Sequence, residues 1–347
     1  MSYRELLDLN NLHQAFINCQ RATNWKASVQ SYEAQELHNI FELREKLKNH
    51  TYKQRPFVEF NICERGKPRH IKSLHINDRV LQRALCDNIL TPAISKYLIY
   101  DNGASVKGKG IDFTRRRLKA QLEKYYRRYG AEGYVLKIDF SKYFDNINHA
   151  QLMRILQKYI HDEEVLALVG YLIATNNTPD IIGRGVGIGS QISQIAGIIY
   201  PSEIDNYCKI VRGCKFYGRY MDDTYIMHPD KNALIDILQN IRIICGRLGI
   251  IINEKKTQII KLNNGFIFLK MRYRFTHSGR VLVIPVKATI TRERRKLRKL
   301  RARLDNGLIT EREIELQYIS WRGTLKKYNT YSRLRATDAL YRELFKG

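Results

Sequence analysis

The chain has 347 residues, 44% of them hydrophobic, which is enough to bury a large core divided into two or three subdomains. It carries 60 Lys and Arg against 34 Asp and Glu, and the formal charge of +26 indicates a polyanionic partner such as nucleic acid. No apolar run is long enough for a membrane span or a signal region, and the six cysteines lack a CxxC pair. We therefore expect a cytoplasmic protein with reduced thiols, no structural zinc and no membrane partner.

Helices are predicted for the N-terminal extension, residues 1–50. Apolar side chains recur at helical spacing from Leu6 to Phe16 and again from Leu37 to Leu47. Simple packing explains both stripes. A homo-oligomer contact or the binding of structured RNA is equally compatible with them.

A basic β-hairpin is predicted next, between residues 57 and 72. Val58, Phe60 and Ile62 alternate as a first strand, and a return strand follows the turn Glu64-Arg-Gly-Lys-Pro. Cations near the tip, including Lys67 and Arg69, could neutralise the charge of a triphosphate. A solvated basic turn is the alternative. Helices are predicted beyond it at residues 74–90 and 114–129.

Two acidic strand ends are the main candidate site. Residues 134–138 read as a buried strand closed by Asp139, and a carboxylate there must be solvated, paired or bound to metal. Residues 215–227 read as an apolar hairpin with Asp222 and Asp223 at its turn. Adjacent aspartates are also ordinary turn chemistry. Two acidic strand ends together fit oxygen-ligand sites for Mg²⁺.

Glycine and basic residues mark the remaining elements. Four glycines between residues 183 and 189 predict a flexible loop, followed by a helix that begins near Ser190. Such a loop can pass close to a template and an incoming base. An amphipathic helix is predicted at residues 233–248. The run TITRERRKLRKLRARLDNG from Thr289 predicts a helix whose basic face contacts phosphates, and two further helices follow it.

Three of these stretches resemble, in order and spacing, motifs A, B and C of reverse transcriptases. They are Asp139-Phe-Ser-Lys-Tyr-Phe-Asp145, Gly189-Ser-Gln-Ile-Ser193-Gln194 and Tyr220-Met-Asp-Asp223. The resemblance covers about residues 36–345 and is that of a compact bacterial enzyme. Its motif B departs from the common Pro-Gln-Gly pattern and ends in Ser-Gln, which resembles the enzymes of diversity-generating retroelements and of other bacterial, non-retroviral lineages.

The resemblance implies an α+β right-hand polymerase. Its palm would be an antiparallel sheet with helices on one face. The implied domains are an N-terminal helical extension (1–50), fingers (51–133), a palm with motifs A to E (134–275) and a helical thumb (276–347).

The resemblance also implies the catalytic groups and their metal. Asp139, Asp222 and Asp223 would be catalytic and would ligate metal, and the carbonyl of Phe140 would complete the metal shell. Two Mg²⁺ ions are implied, with Mn²⁺ as a substitute.

The residues expected to contact the dNTP come from four parts of the chain. Phe144 would lie beneath the sugar, where its ring would exclude a ribose 2′-hydroxyl. Lys256 would approach the pyrophosphate, and a primer-grip hairpin is implied at residues 266–271. The full set of implied dNTP contacts is Lys67, Arg69, Phe140, Phe144, Gly189, Gln194 and Lys256.

The implied function is RNA-directed DNA synthesis from an RNA template and dNTPs, giving a DNA product. An RNA-dependent RNA polymerase is the enzymatic alternative, and Phe144 together with Tyr220-Met-Asp-Asp argues against it. Template-independent or protein-primed DNA synthesis of the abortive-infection type stays open. A non-catalytic RNA-binding scaffold is the alternative from another class, disfavoured by three intact aspartates. The setting is a retron, a diversity-generating retroelement or antiphage defence, with an accessory protein or a second copy as open partners.

Overall fold

The protein is described by a computed structural model that covers residues 2–64, 66–176 and 182–346, with the backbone alone for Glu64, Lys67 and Arg69. The helices in these ranges are α1 (Arg4–Leu7), α2 (Leu9–Gln20), α3 (Ala27–Ala34), α4 (Glu36–Lys48), α5 (Ile76–Leu85), α6 (Thr91–Ser95), α7 (Ile111–Tyr129), α8 (His149–Leu156), α9 (Glu163–Ala174), α10 (Gln191–Ile199), α11 (Ser202–Asn206), α12 (Lys231–Leu248), α13 (Lys287–Asp305), α14 (Glu311–Lys326) and α15 (Tyr331–Phe345). The strands are β1 (Val58–Glu64), β2 (Lys67–Ser73), β3 (Tyr134–Ile138), β4 (Tyr217–Tyr220), β5 (Asp223–His228), β6 (Gln258–Lys261), β7 (Phe266–Phe268), β8 (Met271–Phe275) and β9 (Val281–Pro285).

The N-terminal extension is helical, as its periodicity predicts. Leu12 and Phe16 of α2 and Leu43 and Leu47 of α4 are buried in the main core. Asp8 caps α2 by accepting a hydrogen bond from the N–H of the third residue after it. The predicted hairpin is also present, because β1 and β2 pair antiparallel along their full length.

The helix predicted at residues 74–90 is not a single regular α-helix. It begins as α5, widens into a π-helical turn at Cys86–Leu90 and continues as α6, which has a proline in its first turn. The π-helical turn directly precedes this proline, which has no N–H to donate to the preceding turn. Periodicity alone does not reveal such an insertion.

A four-stranded antiparallel sheet in the order β4-β5-β3-β6 forms the centre of the molecule. Leu136 and Ile226 point to one face, where they share a core with α10 and α12. Val135, Tyr225 and Met227 point to the other face, where α7 and a second sheet cover them. Both faces are therefore buried, and the alternation of side chains along each strand decides which core each one joins.

The second sheet has three antiparallel strands in the order β7-β8-β9 and leads into the C-terminal helices. Helices α13 to α15 enclose two small cores of their own. Because β9 pairs with β8, this sheet extends beyond residue 275. The predicted domain limits stay predictions. In the part of the chain that the structure describes, none of the helices combines the length and the apolar composition needed to cross a membrane.

Candidate active site

Strand pairing brings the predicted carboxylates to one end of the central sheet. Ile138 of β3 pairs with Thr224 of β5, so Asp139 and Asp223 are the next positions along the same antiparallel ladder. The turn between β4 and β5 consists of Met221 and Asp222, and Met221 adopts a φ of +54°. The predicted strands and their acidic ends are present as the sequence indicated.

The three carboxylates interact electrostatically. Burial, together with the charges of Asp222 and Asp139, raises the pKa of Asp223 to about 6. Lys137 and Lys256 partly counteract this effect. Two lysines thus face three acids, so the site keeps an excess of negative charge.

Lys256 binds the first of these carboxylates directly. Its Nζ donates to both carboxylate oxygens of Asp139, at 3.1 and 2.9 Å. This hydrogen bond raises the pKa of Lys256. The segment carrying Lys256 is held to β3 because the N–H of Asn253 donates to the carbonyl of Asp139 at 2.8 Å. The sequence placed Lys256 near the pyrophosphate, and the structure places it beside the acids.

The donor set suits a hard divalent cation. Carboxylate oxygens are the preferred ligands of Mg²⁺, and an excess of negative charge next to a buried acid favours a cation there. Within residues 2–64, 66–176 and 182–346, no three His, Cys, Asp or Glu side chains stand in metal-binding geometry. The Asp139 oxygens contact Lys256 instead, so a metal ion would replace this contact.

The backbone carbonyl of Phe140, and not its side chain, is the group that the sequence predicts as a metal ligand. Its ring is buried, with 3% of the residue exposed, and packs near Tyr143. Ser141 and Asp139 exchange hydrogen bonds with Ile251 and Asn253, so Phe140 forms a pair without hydrogen bonds to the segment 251–253. The carbonyl of Phe140 therefore points to the β5 side, where Asp222 and Asp223 lie.

Phe144 begins a short 3₁₀ turn after the first acidic strand end and is partly buried. Its ring lies edge-on to that of Tyr143, with a centroid distance of 5.3 Å. Its carbonyl accepts a hydrogen bond from the N–H of Val186 at 3.0 Å. This bond ties the predicted sugar contact to the glycine-rich loop.

The glycine-rich loop lies against the hairpin. The N–H of Lys72 on β2 donates to the carbonyl of Ile188 at 3.3 Å. Gly189 has a φ of +132°, and a methyl group on it would lie 2.8 Å from the Lys72 carbonyl. Only glycine fits this close approach. Gln194 is exposed on α10 and accepts a hydrogen bond from the Ser105 hydroxyl at 3.2 Å.

Two of the predicted contacts cannot be placed. Lys67 and Arg69 lie on β2, but their side chains are outside the described part of the chain. Their role at a triphosphate stays a prediction.

A fully buried ion pair lies beneath the turn of Met221 and Asp222. Arg219 donates to both oxygens of Asp205, with distances of 2.6 to 3.1 Å, and both residues are at most 1% exposed. The same guanidinium donates to the carbonyl of Met221 at 3.1 Å and to that of Ile198 on α10 at 2.8 Å. Burial alone would lower the pKa of Arg219, but Asp205 raises it. Arg219 therefore fixes the backbone of the acidic turn to α10 and α11.

The sequence interpretation missed Arg219, Asp205 and Lys137. A charge within the apolar strand of Arg219 was a usable signal, because an arginine there must find a buried acid. No local pattern identifies Asp205 as that acid, since it lies on a separate helix.

Replacing Asp223 with asparagine is expected to stabilise the metal-free protein at pH 8 by about 2 kcal/mol. Burial and the neighbouring charges of Asp222 and Asp139 raise its pKa from 3.8 to about 6, so the ionised acid destabilises the folded state above pH 6. This cost falls as the pH drops through 6 and is absent below 3.8, where both states are protonated. Urea unfolding with EDTA at pH 8 and pH 4.5 measures it. Glu33→Gln, on an exposed helix surface, is the control, and equal stability of Asp223→Asn and wild type at pH 8 would contradict the expectation.

Comparison with known proteins identifies the family. Residues 47–286 match the family described as reverse transcriptase (RNA-dependent DNA polymerase). Protein YkfC of Escherichia coli (strain K12) is 25% identical over 268 residues, which cover 66% of this chain and 70% of that protein.

Two solved structures share the fold. Telomerase from Candida albicans, in complex with a TWJ fragment of telomeric RNA, matches 85% of this chain with a TM-score of 0.51 and 15% identity. Apo telomerase from Candida tropicalis, truncated from its C-terminal domain, matches 69% with a TM-score of 0.50 and 14% identity. The matches span 60% and 59% of those telomerase chains. The predicted right-hand polymerase fold is confirmed. Since the family match extends over more than half of the sequence, the chain belongs to the reverse transcriptase family of RNA-dependent DNA polymerases.

Proposed function

We propose that the protein synthesises cDNA on an RNA template by two-metal nucleotidyl transfer. The observation that carries this proposal is the meeting of Asp139, Asp222 and Asp223 at one end of the central sheet, in a chain of the reverse transcriptase family. Carboxylates on converging strands are what such chemistry requires.

The chain's own residues would hold the reacting groups in place. Asp139, Asp222, Asp223 and the carbonyl of Phe140 would hold Mg²⁺ or Mn²⁺. The bound ions would supply activation of the primer 3′-hydroxyl and neutralisation of the triphosphate. Lys256, released from Asp139, would turn its charge to the departing pyrophosphate.

The nucleotide would be a dNTP. Phe144 lies near the acidic turn, and its ring would occupy the space of a ribose 2′-hydroxyl. Gly189 would let the glycine-rich loop approach the base, with Gln194 on the following helix. Lys67 and Arg69 of the hairpin would neutralise the outer phosphates.

The RNA and the DNA product would lie on the basic part of the chain. Residues 1–50 contain equal numbers of acidic and basic side chains, so the whole excess of +26 lies beyond them. Helix α13 buries Leu297 and Leu300 and exposes a basic stripe on its opposite side. The stripe consists of Arg292, Arg295, Arg298 and Lys299.

Replacing Arg292, Arg295 and Lys299 with alanine is expected to weaken binding of an RNA–DNA duplex in a salt-dependent manner. Each lost phosphate contact should reduce the slope of log K against log salt by about 0.9, so the triple variant loses up to about 3. Filter binding from 50 to 300 mM KCl measures this slope. Screening of the charges changes substantially over this range of salt concentration. A control triple variant, Arg21→Ala with Lys26→Ala and Lys48→Ala, removes the same charge from the N-terminal extension. Equal slopes for the two variants would contradict a role for the stripe.

Antiphage defence with a dedicated noncoding RNA is part of this proposal, as is a cytoplasmic location. The structural likeness to a telomerase that was solved with an RNA fragment supports an RNA partner. Protein-primed synthesis is the competing activity.

Sequencing of nucleic acid that copurifies with the protein, and of what it synthesises, tests the proposal. Wild type and Asp222→Ala are supplied with Mg²⁺ and all four dNTPs. DNA complementary to a bound RNA, absent with Asp222→Ala, is the expected result. Products without a complementary RNA would indicate untemplated or protein-primed synthesis. No Asp222-dependent product, even with rNTPs, would favour the non-catalytic scaffold.

A further inference from the structure

Gly197 occupies an unusual position within α10. It is buried, and a methyl group added to it would lie 3.0 Å from Cε1 and 3.2 Å from Cζ of Phe144. The same methyl would lie 3.2 Å from Sδ of Met221. Ordinary contacts between carbon atoms are about 3.5–4.0 Å. Phe144 and Met221 therefore already occupy the space that a methyl group at position 197 would need.

Other glycines within described helices lack this property. Gly246 in α12 and Gly323 in α14 have no heavy atom within 4 Å of an added methyl, and Gly170 in α9 has only the flexible end of Met153 at 3.7 Å. A glycine inside a helix costs about 0.5–1 kcal/mol relative to alanine. At Gly197 the close approach of Phe144 and Met221 leaves no room for a side chain, which explains why this helix position holds glycine.

A hydrogen bond also joins Gly197 to the residue that precedes Phe144. The hydroxyl of Tyr143 donates to the carbonyl of Gly197 at 2.8 Å, and Tyr143 precedes Phe144 in the chain. The Phe144 carbonyl is fixed in turn by Val186. The outer end of the ring thus lies against the α10 backbone at Gly197, and Phe144 as a whole is only partly buried.

We propose that Gly197 is a positioning residue for nucleotide selection, because its missing side chain sets how far the Phe144 ring projects towards the sugar of the incoming nucleotide. This rests on the proposed function. Met221 has a flexible thioether that can move aside, whereas the Phe144 ring is rigid and held at its backbone. A methyl at position 197 would therefore displace the ring by a few tenths of an ångström away from α10.

The test is Gly197→Ala, assayed by steady-state incorporation of dTTP and UTP on a primed RNA template. We expect KM for dTTP to rise about tenfold with a smaller change in kcat, since small misplacements at a reacting site have large effects. UTP incorporation should fall at least as much. Gly246→Ala is the matched control, because it makes the same substitution in a helix with open space.

A second variant separates positioning from damage to the fold. In a Phe144→Ala background the conflicting ring atoms are absent, so adding Gly197→Ala should change KM less than twofold. An equal rise of KM with and without the ring would overturn the proposal. The proposal would also be overturned if Met221→Ala, and not Phe144→Ala, restored the KM of Gly197→Ala. The added methyl would then act on the acidic turn.

Different results would refute the proposed function and the proposed role of Gly197. A wild type that incorporates no nucleotide refutes the proposed polymerase. A wild type that polymerises, together with Gly197→Ala at wild-type KM, refutes only the role of Gly197.

Discussion

Replacing Arg219 with methionine is expected to lower the free energy of unfolding by about 3–5 kcal/mol. The substitution leaves Asp205 buried without a cation, and Asp205 is 1% exposed. Tyr217 still donates to Asp205 at 2.5 Å, but one neutral donor does not replace a guanidinium that binds both oxygens. The carbonyls of Met221 and Ile198 also lose their donor.

Urea unfolding measures the loss, and a double variant tests its cause. Arg219→Met combined with Asp205→Leu removes both charges and should recover much of the lost stability. Nucleotide incorporation should be low in Arg219→Met and in the double variant alike, because the Met221 carbonyl lacks its donor in both. Exposed ion pairs contribute at most about 1 kcal/mol. If the free energy of unfolding of Arg219→Met lies within about 1 kcal/mol of the wild-type value, the buried pair is not needed for stability.

Replacing Asp139 with asparagine is expected to reduce nucleotide incorporation at least about 10³-fold while the fold is retained. Asp139 lies directly after β3, it is the residue that Lys256 binds, and its charge reaches Asp223. The amide keeps the shape of the side chain but removes the negative charge that a divalent ion needs.

Extension of oligo(dT) on poly(rA) with dTTP and Mg²⁺ measures this loss. Asp236→Asn is the matched control and should retain activity, because Asp236 lies on α12 and contacts only the exposed Arg212 and the neighbouring Asn240 among the described residues. Circular dichroism and the unfolding midpoint check that Asp139→Asn is folded. Activity within tenfold of wild type would remove Asp139 from the proposed metal ligands.

The acidic strand ends could be predicted because their signals are local. Alternating apolar residues define β3 and β5, and an acid that ends such a run has few structural explanations. Asp139 and Asp223 then meet because antiparallel pairing follows from a short hairpin and a neighbouring strand. Here local pattern and tertiary structure agree.

The support of the site could not be predicted in this way. Arg219 and Asp205 are brought together by the packing of α11 under β4, and no periodicity relates the two residues. Gly197 lies in an apolar helix whose sequence gives no indication of what faces it. The π-helical turn at Cys86–Leu90 likewise depends on tertiary packing. These features depend on contacts between distant parts of the chain, which no local sequence pattern encodes.

The distribution of thiols has a practical consequence. All six cysteines lie in the described part of the chain, and Cys63 on β1 is exposed whereas the other five are buried. A thiol-reactive dye should therefore label the native protein at the hairpin. Fluorescence from that dye would report the movement of the hairpin when nucleotide is added, without any cysteine substitution.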